Sequence, residues 1–448
     1  MKKILLYFSI WQLAITVNGQ SKILDEYIKT GIENNLSLKQ EKLELEKAMK
    51  SIDIAKTNLF PKISFTPTYT LAAGGRRLQF PIGDLLNPVY NTLNKLTQSS
   101  SFPQVENVDE LLAPNNFHDT KISVQYPIFN SDIKYNIALQ KELLQTEYAK
   151  KKTLEFEIRH NIEIAYLHYL QSVEAIKIFE QSRGILQQVD QLNRKLVENK
   201  LALKDVLLTS EYEITKLEQQ IIVANKNKDL AKAYFNFLIN KDLSGEVVID
   251  SSLTKSLPIF PNLAVLNENA LENRPEFNQI NSGLKINDAN ILLQQKNAKL
   301  PQVFVGGNVG FQGFGYTFAN QAYALAQFGL SWDLFHGYEK KHKVQQSKIS
   351  KSILEVKMEE LNKQILLQVN QNFRELQASV SNYQSTKGGI DKTQKILELV
   401  SSRYKNGSAI FVEVSKAQND DLISKLSESL AKYDVWVKFA NLKKVSGY

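Results

Sequence analysis

The chain has 448 residues, of which 43% are apolar, and a formal net charge of +8, so it can bury one or more sizeable cores. The basic excess is spread along segments that also carry glutamates and forms no patch interleaved with aromatic residues, which argues against a nucleic-acid partner. The sequence contains no cysteine, so we expect neither disulfides nor a lipid anchor on cysteine.

Residues 1–19 have the pattern of a cleaved secretory signal. Lys2 and Lys3 form a basic start, Ile4 to Val17 is apolar, and Asn18-Gly19 offers a cleavage site. No later stretch has the 18 or more apolar residues of a membrane helix. An exported chain without such a helix is either soluble or a membrane β-barrel.

Residues 20–241 predict a helix, two strands and a long helical hairpin. Ile63, Phe65 and Tyr69 alternate with hydroxyl residues, which gives a strand one apolar and one polar face. Four prolines in residues 74–118 predict a long loop. The expected elements are strands at about 62–72 and 120–129, the loop 74–118, and a hairpin at about 131–240 that turns at about 199–204.

A polar linker, residues 242–262, precedes a second copy of this pattern in residues 263–448. Four segments match in the same order: NNLSL with NRPEF, Pro61 with Pro301, YPIF with WDLF, and residues 195–206 with 403–414 at an offset of 208. The expected elements of the second copy are strands at about 302–312 and 326–336, and a hairpin at about 338–446 that turns at about 405–411. In the last strand Trp332 and Leu334 fall on the apolar face and Asp333 on the polar face.

Four membrane strands are too few to close a barrel, and unpaired strand edges cannot face lipid. We therefore expect several copies to share one barrel. Cyclic symmetry is the common solution, and three copies would supply twelve strands. The predicted fold class is a mixed α+β membrane protein, internally duplicated, with long α-helical hairpins and four β-strands in each chain.

The order of these elements resembles the TolC-like outer-membrane factor family, the exit ducts of tripartite efflux and type I secretion systems. The resemblance covers nearly the whole mature chain. It is carried by Asn273-Arg274-Pro275-Glu276, the junctions YPIF and WDLF, and the turn Arg403 to Gly407. It implies a homotrimer with a twelve-stranded barrel in the outer membrane and a periplasmic α-helical barrel. The family's proline in the second junction is Asp333 here.

The same resemblance marks candidate pore-constriction residues in the two hairpin turns: Asp205, Tyr404, Glu413 and Lys416. In a trimer, Asp205 and Glu413 would place six carboxylates near one mouth and favour cations there. The alternative is that both acids stand in the first turn of a helix, where they favour the positive end of the helix dipole. Lys416 stands where the family often has a second acid, which weakens an acidic double ring.

Apolar residues are unusual in turns, and both of these turns contain them. One interpretation is a surface for a periplasmic adaptor, also called a membrane fusion protein. The other is packing between neighbouring hairpins, which uses the same residue types. The residues concerned are Leu201, Ala202 and Leu203 in the first turn, and Gly407, Ala409, Ile410 and Phe411 in the second.

The function predicted from these features is a passive exit duct in the outer membrane of a Gram-negative-type envelope, with a large periplasmic extension. Its expected partners are an adaptor, an inner-membrane pump and outer-membrane lipid. The five histidines lack metal-ligand spacing, and no catalytic motif is present, so we expect no enzyme activity, metal or cofactor. Two alternatives are a periplasmic adaptor and a structural coiled-coil protein of the envelope.

Overall fold

The computed structural model describes residues 21–250, 252–297, 299–335 and 337–448. The predicted signal at 1–19 lies outside the described residues. Helices α1 to α9 are, in order, Lys22–Asn34, Leu36–Thr57, Ile82–Thr97, Ser131–Glu198, Lys204–Leu238, Leu263–Asn273, Glu276–Asn297, Glu339–Lys405 and Phe411–Val445. Strands β1 to β6 are Lys62–Thr70, Arg77–Phe80, Val108–Leu111, Phe117–Phe129, Gln302–Phe314 and Ala322–Ser331.

One order of elements occurs twice in the chain. Two short helices, two strands, a very long helix and a second helix follow one another as α1, α2, β1, β4, α4, α5 and as α6, α7, β5, β6, α8, α9. The first copy differs by an insertion, which contains β2, α3 and β3. The long helices α4 and α8 have 68 and 67 residues, and each is about 100 Å long at 1.5 Å per residue.

The predicted first helix is in fact two helices, because Asn35 ends one and begins the next. Asn35 adopts an extended backbone conformation, and its side-chain Oδ1 accepts hydrogen bonds from the backbone N–H groups of Ser37 and Leu38 at 2.9 and 3.1 Å. This is the geometry of an N-cap.

The chain divides into two compact units, and all the described strands lie outside the first unit, which consists of helices and their connections. It contains the described residues up to Ala48 together with Glu142–Lys285 and Lys351–Tyr448. Tyr27, Tyr166 and Phe235 meet in its core, with the rings of Tyr27 and Phe235 edge to face at 5.0 Å. The Tyr166 hydroxyl donates to the Val248 carbonyl at 2.8 Å, and burial raises its pKa to about 12.

The second unit, Met49–Lys141 and Ile286–Ser350, contains a four-stranded antiparallel sheet with the order β1-β4-β5-β6. Its register separates two kinds of side chain. Phe65, Ile122 and Val309 align across three strands on one face. Ser64, Ser123 and Asn308 align on the other face. The apolar and polar faces predicted from alternation are therefore confirmed, and the apolar face is open.

The structure corrects the predicted last strand. The strand β6 runs from Ala322 to Ser331 instead of 326–336, because its partner β5 begins at Gln302, which pairs with Ser331. Trp332, Asp333 and Leu334 therefore continue the alternating pattern without a partner strand. The Asp333 carboxylate instead accepts a salt bridge from Lys340 at 3.3 Å.

The predicted loop at 74–118 is wrong, since most of it is ordered structure. The short strands β2 and β3 pair antiparallel, and the 16-residue helix α3 lies between them in sequence. The prolines that predicted a loop include Pro88 inside α3. No helix in the described ranges combines the length and hydropathy needed to cross a membrane.

Candidate functional site

The hairpin turns between α4 and α5 and between α8 and α9 have the same backbone geometry. Lys200 and Gly407 each take a left-handed conformation, with φ of 60° and 72°. The next residue in each turn, Leu201 or Ser408, donates its N–H to a carbonyl five residues earlier, at 2.7 and 2.8 Å. This pattern satisfies the last carbonyls of each long helix and reverses the chain within five residues.

The geometry corrects the alignment of the two turns by one residue. Lys200 corresponds to Gly407, and the helix caps Leu203 and Ile410 correspond to each other, which gives an offset of 207 instead of 208. Asp205 is consequently the second residue of α5, whereas Glu413 is the third residue of α9. Adjacent helix positions differ by about 100° in direction, so the two acids are not structural equivalents.

The two acids also have different partners. The Asp205 carboxylate accepts a hydrogen bond from the Val206 backbone N–H at 2.9 Å, an interaction of a helix first turn. Glu413 forms an ion pair with Arg403 at 3.6 Å, and the same guanidinium donates to the Ser408 carbonyl at 3.1 Å. Arg403 was not among the candidate residues, although its place in the last turn of a helix is a signal for such a role.

Tyr404 is buried, so in this chain it does not line an open surface. Its hydroxyl donates to Asn193 Oδ1 at 2.5 Å, and burial raises the pKa of the phenol. Asn193 is fully buried on α4, and its Nδ2 has no hydrogen-bond partner among the described residues. The contact joins α8 to α4 close to both turns.

Phe411 is 5% exposed and forms a hydrophobic cluster with Tyr404 and Val414. Its assignment to a docking surface is corrected accordingly, because a side chain in a core cannot contact a partner. The cluster, which we call the turn cluster, also takes in partly buried side chains from α4, α5, α8 and the second turn: Val189, Leu192, Leu196, Val206, Val400 and Ala409.

The remaining candidates lie near the surface. Leu201 and Leu203 are each 75% exposed, Ile410 is 64% exposed, and Gly407 and Lys416 are also exposed. Ala202 and Ala409 are half-buried. Val412 is as exposed as Ile410 and was not among the candidates, because it lies just beyond the predicted turn at about 405–411. Together Leu201, Leu203, Ile410 and Val412 form what we call the exposed turn residues.

A partly buried polar network joins α4 to α5 next to the first turn. The Ser210 hydroxyl donates to Asp190 Oδ1 at 2.6 Å. Arg194 bridges Asp190 at 3.1 Å and Glu211 at 2.6 Å. Further along, the Gln418 amide on α9 donates to the Ser182 carbonyl on α4 at 3.1 Å. These directional contacts fix the register of the hairpins where apolar packing alone would allow sliding.

The described ranges contain no group of three or more His, Asp or Glu side chains that could hold a metal ion. Among the candidate polar residues, Asp205 forms a first-turn hydrogen bond, Glu413 an ion pair and Tyr404 a contact between helices.

Residues 266–448 match the family model described as outer membrane efflux protein. A comparison with curated proteins gave no match. Among solved structures, the chain is similar to the open state of the MtrE outer membrane channel of Neisseria gonorrhoeae, with 15% identity, a TM-score of 0.70, and coverage of 95% of this chain and 89% of that chain.

Two further outer-membrane proteins share the fold. The CmeC outer membrane channel of Campylobacter jejuni has 13% identity and a TM-score of 0.69 over 95% of this chain and 86% of that chain. The outer membrane protein VceC of Vibrio cholerae has 13% identity and a TM-score of 0.68 over 95% and 96%. At these identities the likeness establishes the fold, and it confirms the fold class predicted for one chain, with long α-helical hairpins and a small β-sheet.

Proposed function

We propose that this chain, which has the fold of TolC-like outer-membrane channels and matches the outer membrane efflux protein family over residues 266–448, is an exit duct of the outer membrane. The duct is passive and extends into the periplasm. It carries cargo through an aqueous passage without a cofactor and without chemistry on the cargo.

The observation that carries this proposal is the sheet of the second unit. Its four strands have one apolar and one polar face, and the edge strands β1 and β6 each pair on one side only among the described residues. A sheet of this kind is stable in lipid only when further strands close it into a barrel. The polar face then lines water and the apolar face contacts lipid.

Closure requires other copies of the chain. Four strands are half of the smallest common membrane barrel, and three copies give twelve strands. The four long helices α4, α5, α8 and α9 of each copy would likewise give twelve helices in a periplasmic barrel. We therefore propose a homotrimer as the working form.

The exposed turn residues are the proposed contact for a periplasmic adaptor, which in turn joins an inner-membrane pump. Leu201, Leu203 and Ile410 expose large apolar side chains in the two turns, where polar residues are usual, and Val412 exposes one in the first turn of α9. An adaptor that covers them removes this apolar surface from water. The turn cluster lies beneath and supplies a rigid base for the contact.

Asp205 and Glu413 remain candidates for a charged constriction, with a smaller expected effect than a double acidic ring would have. Arg403 pairs with Glu413, and Lys416 stands one helical turn further along α9. Partial neutralisation of this kind weakens the preference for cations at a mouth. Tyr404 contributes by holding α8 against α4.

Export measured in cells tests the proposal. Deletion of the gene should raise the intracellular accumulation of at least one compound in a chemically diverse panel, and expression of the wild-type chain should restore export. Ile410→Glu should remove export while the trimer survives. Ser408→Glu, which adds the same charge two residues away without removing an apolar side chain, is the matched control. Normal export by Ile410→Glu would contradict the adaptor contact.

A further inference from the structure

The first unit contains a cavity of about 220 Å³ that shares no residue with the turn cluster or the exposed turn residues. Its walls come from α1, α4, α6, the linker at residues 242–262, and α9 with the residues after it. All of these segments belong to the first unit. A cavity of about 150 Å³ in an apolar core accommodates one benzene ring, so this one has room for a single ring with a small substituent.

Most of the cavity wall is apolar. The lining residues from the linker and α6 are all apolar: Leu253, Ile259, Phe260, Pro261 and Leu266. Helices α4 and α9 add the aromatic rings of Phe156, Trp436 and Phe439. The rings of Trp436 and Phe439 meet edge to face at 5.9 Å. A wall of this kind favours a flat apolar ligand, which can make offset or edge contacts with the rings.

The charged part of the lining comes mainly from α4 and α9. Arg159 and Glu163 lie about one helical turn apart on α4, and Lys443 and Lys444 are adjacent on α9. Lys443 Nζ donates to Glu163 Oε1 at 2.5 Å and lies 5.4 Å from the centre of the Phe439 ring. This ion pair neutralises both of its members and holds α9 against α4 at the cavity.

Two cations in the lining have no ion-pair partner among the described residues. They are Arg159 and Lys444. The other carboxylate in the lining is that of Asp25 on α1, so positive charge is in excess. Burial, and after it Lys444, lowers the pKa of His160 to about 4, so this lining ring is neutral at neutral pH and does not change the balance.

Size and charge together define the class of ligand. The unpaired cations repel a metal ion, and a wholly apolar ligand would leave both of them unpaired. A single-ring carboxylate suits both parts of the lining, because its ring meets the aromatic wall and its carboxylate accepts hydrogen bonds from a guanidinium and an ammonium group. Guanidinium groups bind carboxylates through two parallel hydrogen bonds, which also fixes the orientation of the ligand.

We propose that this cavity binds a small aromatic carboxylate, with its ring beside Trp436 and Phe439 and its carboxylate at Arg159 and Lys444. Because the cavity lies between α1, α4, α9 and the linker, the bound anion holds these segments together and stabilises the folded unit. The inference goes beyond the proposed duct function and does not depend on it.

Benzoate is the smallest probe that has both features of the proposed ligand. In equilibrium dialysis against the purified full-length chain in detergent, it should bind saturably, at one site in each chain, and raise the melting temperature. Benzyl alcohol has the ring without the charge, and acetate has the charge without the ring. Each should bind about tenfold more weakly than benzoate, because each loses one set of contacts. Absence of saturable benzoate binding, or equal binding of either analogue, would overturn the proposal.

A pair of variants tests the role of the basic edge. Arg159→Gln should weaken benzoate binding about tenfold. Arg183→Gln is the matched control, since it makes the same substitution on α4 at a residue outside the cavity that pairs with Glu180. It should bind benzoate as the unaltered chain does. Equal affinity in the two variants would overturn the assignment of the carboxylate to Arg159.

Two further measurements complete the test. Thermal melts without ligand show whether Arg159→Gln is folded, and if it is not, the comparison of benzoate, benzyl alcohol and acetate on the unaltered chain decides the question. Decanoate carries the same carboxylate on a long acyl chain, which exceeds the volume of the cavity. It should bind more weakly than benzoate, and tighter binding would assign the cavity to a fatty acyl chain and overturn the proposal.

Discussion

The contact between Tyr404 and Asn193 gives the sharpest prediction about the helix ends. Tyr404→Phe removes the hydroxyl that donates to Asn193 Oδ1 at 2.5 Å and changes little else in the turn cluster. Asn193 is fully buried, and its Nδ2 has no partner among the described residues, so the substitution leaves its whole side-chain amide unpaired. A buried polar group left without a partner costs about 1–3 kcal/mol.

The expected consequence is easier local opening of the two turns. A cost of about 1.4 kcal/mol corresponds to about a tenfold change in an opening equilibrium. Hydrogen exchange of the backbone amides of Leu201 and Ser408, which close the turns, should therefore accelerate about tenfold in detergent-solubilised Tyr404→Phe. Tyr212→Phe, which removes an exposed phenol hydroxyl on α5, should leave the exchange unchanged.

A double substitution separates the hydrogen bond from general packing. Asn193→Leu combined with Tyr404→Phe replaces both partners with apolar groups. The backbone amides of the two turns should therefore exchange more slowly in this double variant than in either single variant. Unchanged exchange in Tyr404→Phe would show that the hydrogen bond to Asn193 does not stabilise the turns. If the free-energy costs of the two single substitutions simply add in the double variant, Tyr404 and Asn193 are not coupled, and the hydrogen bond does not account for the effect.

Three further predictions concern other parts of the chain. Burial lowers the pKa of His160 to about 4, so the free energy of unfolding is highest above about pH 6.5 and falls by about 2 kcal/mol, after allowance for partial exposure, as the pH drops towards 4. In thermal melts, His160→Gln should remove this dependence of stability on pH, whereas His168→Gln, an exposed position on the same helix, should keep it. Helix α8 continues through Gly388, where an added Cβ would meet no described atom within 4 Å. Gly388→Ala should therefore stabilise the helix by about 1 kcal/mol in thermal melts and leave export intact, whereas loss of export would indicate that the helix bends at this glycine. Asp205→Asn with Glu413→Gln should move the reversal potential of single channels towards anions, and an unchanged potential would remove the constriction role.

Much of the fold followed from periodicity. The strands alternate between an apolar and a polar face, and this pattern is visible in Ile63 to Tyr69 without any structure. The very long helices were visible because prolines are absent and glycines are few along them. Both patterns are local, and each is determined by the solvent on either side of the element.

The sequence-based predictions were wrong where contact with another segment of the chain determines the secondary structure. Trp332 and Leu334 continue the alternation, but β5 begins at Gln302 and leaves them without a strand to pair with. Pro88 argued against a helix, but Asn87 and Asn94 bind the following segment and hold α3 together. Neither pairing is visible from the spacing of residues.

Burial of the turn residues likewise could not be predicted from residue type alone. An apolar residue in a turn can face a partner or a core, and only the structure distinguishes Phe411, which is buried, from Ile410, which is exposed. The apparent match of Asp205 with Glu413 followed the Asp-Val and Glu-Val pairs. The backbone aligns the turns one residue differently, at Lys200 and Gly407.

Fractionation of cells that express the chain tests the central claim most directly. We predict recovery in the outer membrane as an oligomer that resists mild denaturant, dissociates on heating, and has the mass of three copies. A monomer recovered in the soluble periplasmic fraction would contradict it, because the apolar face and the open edges of the sheet would then be exposed to water.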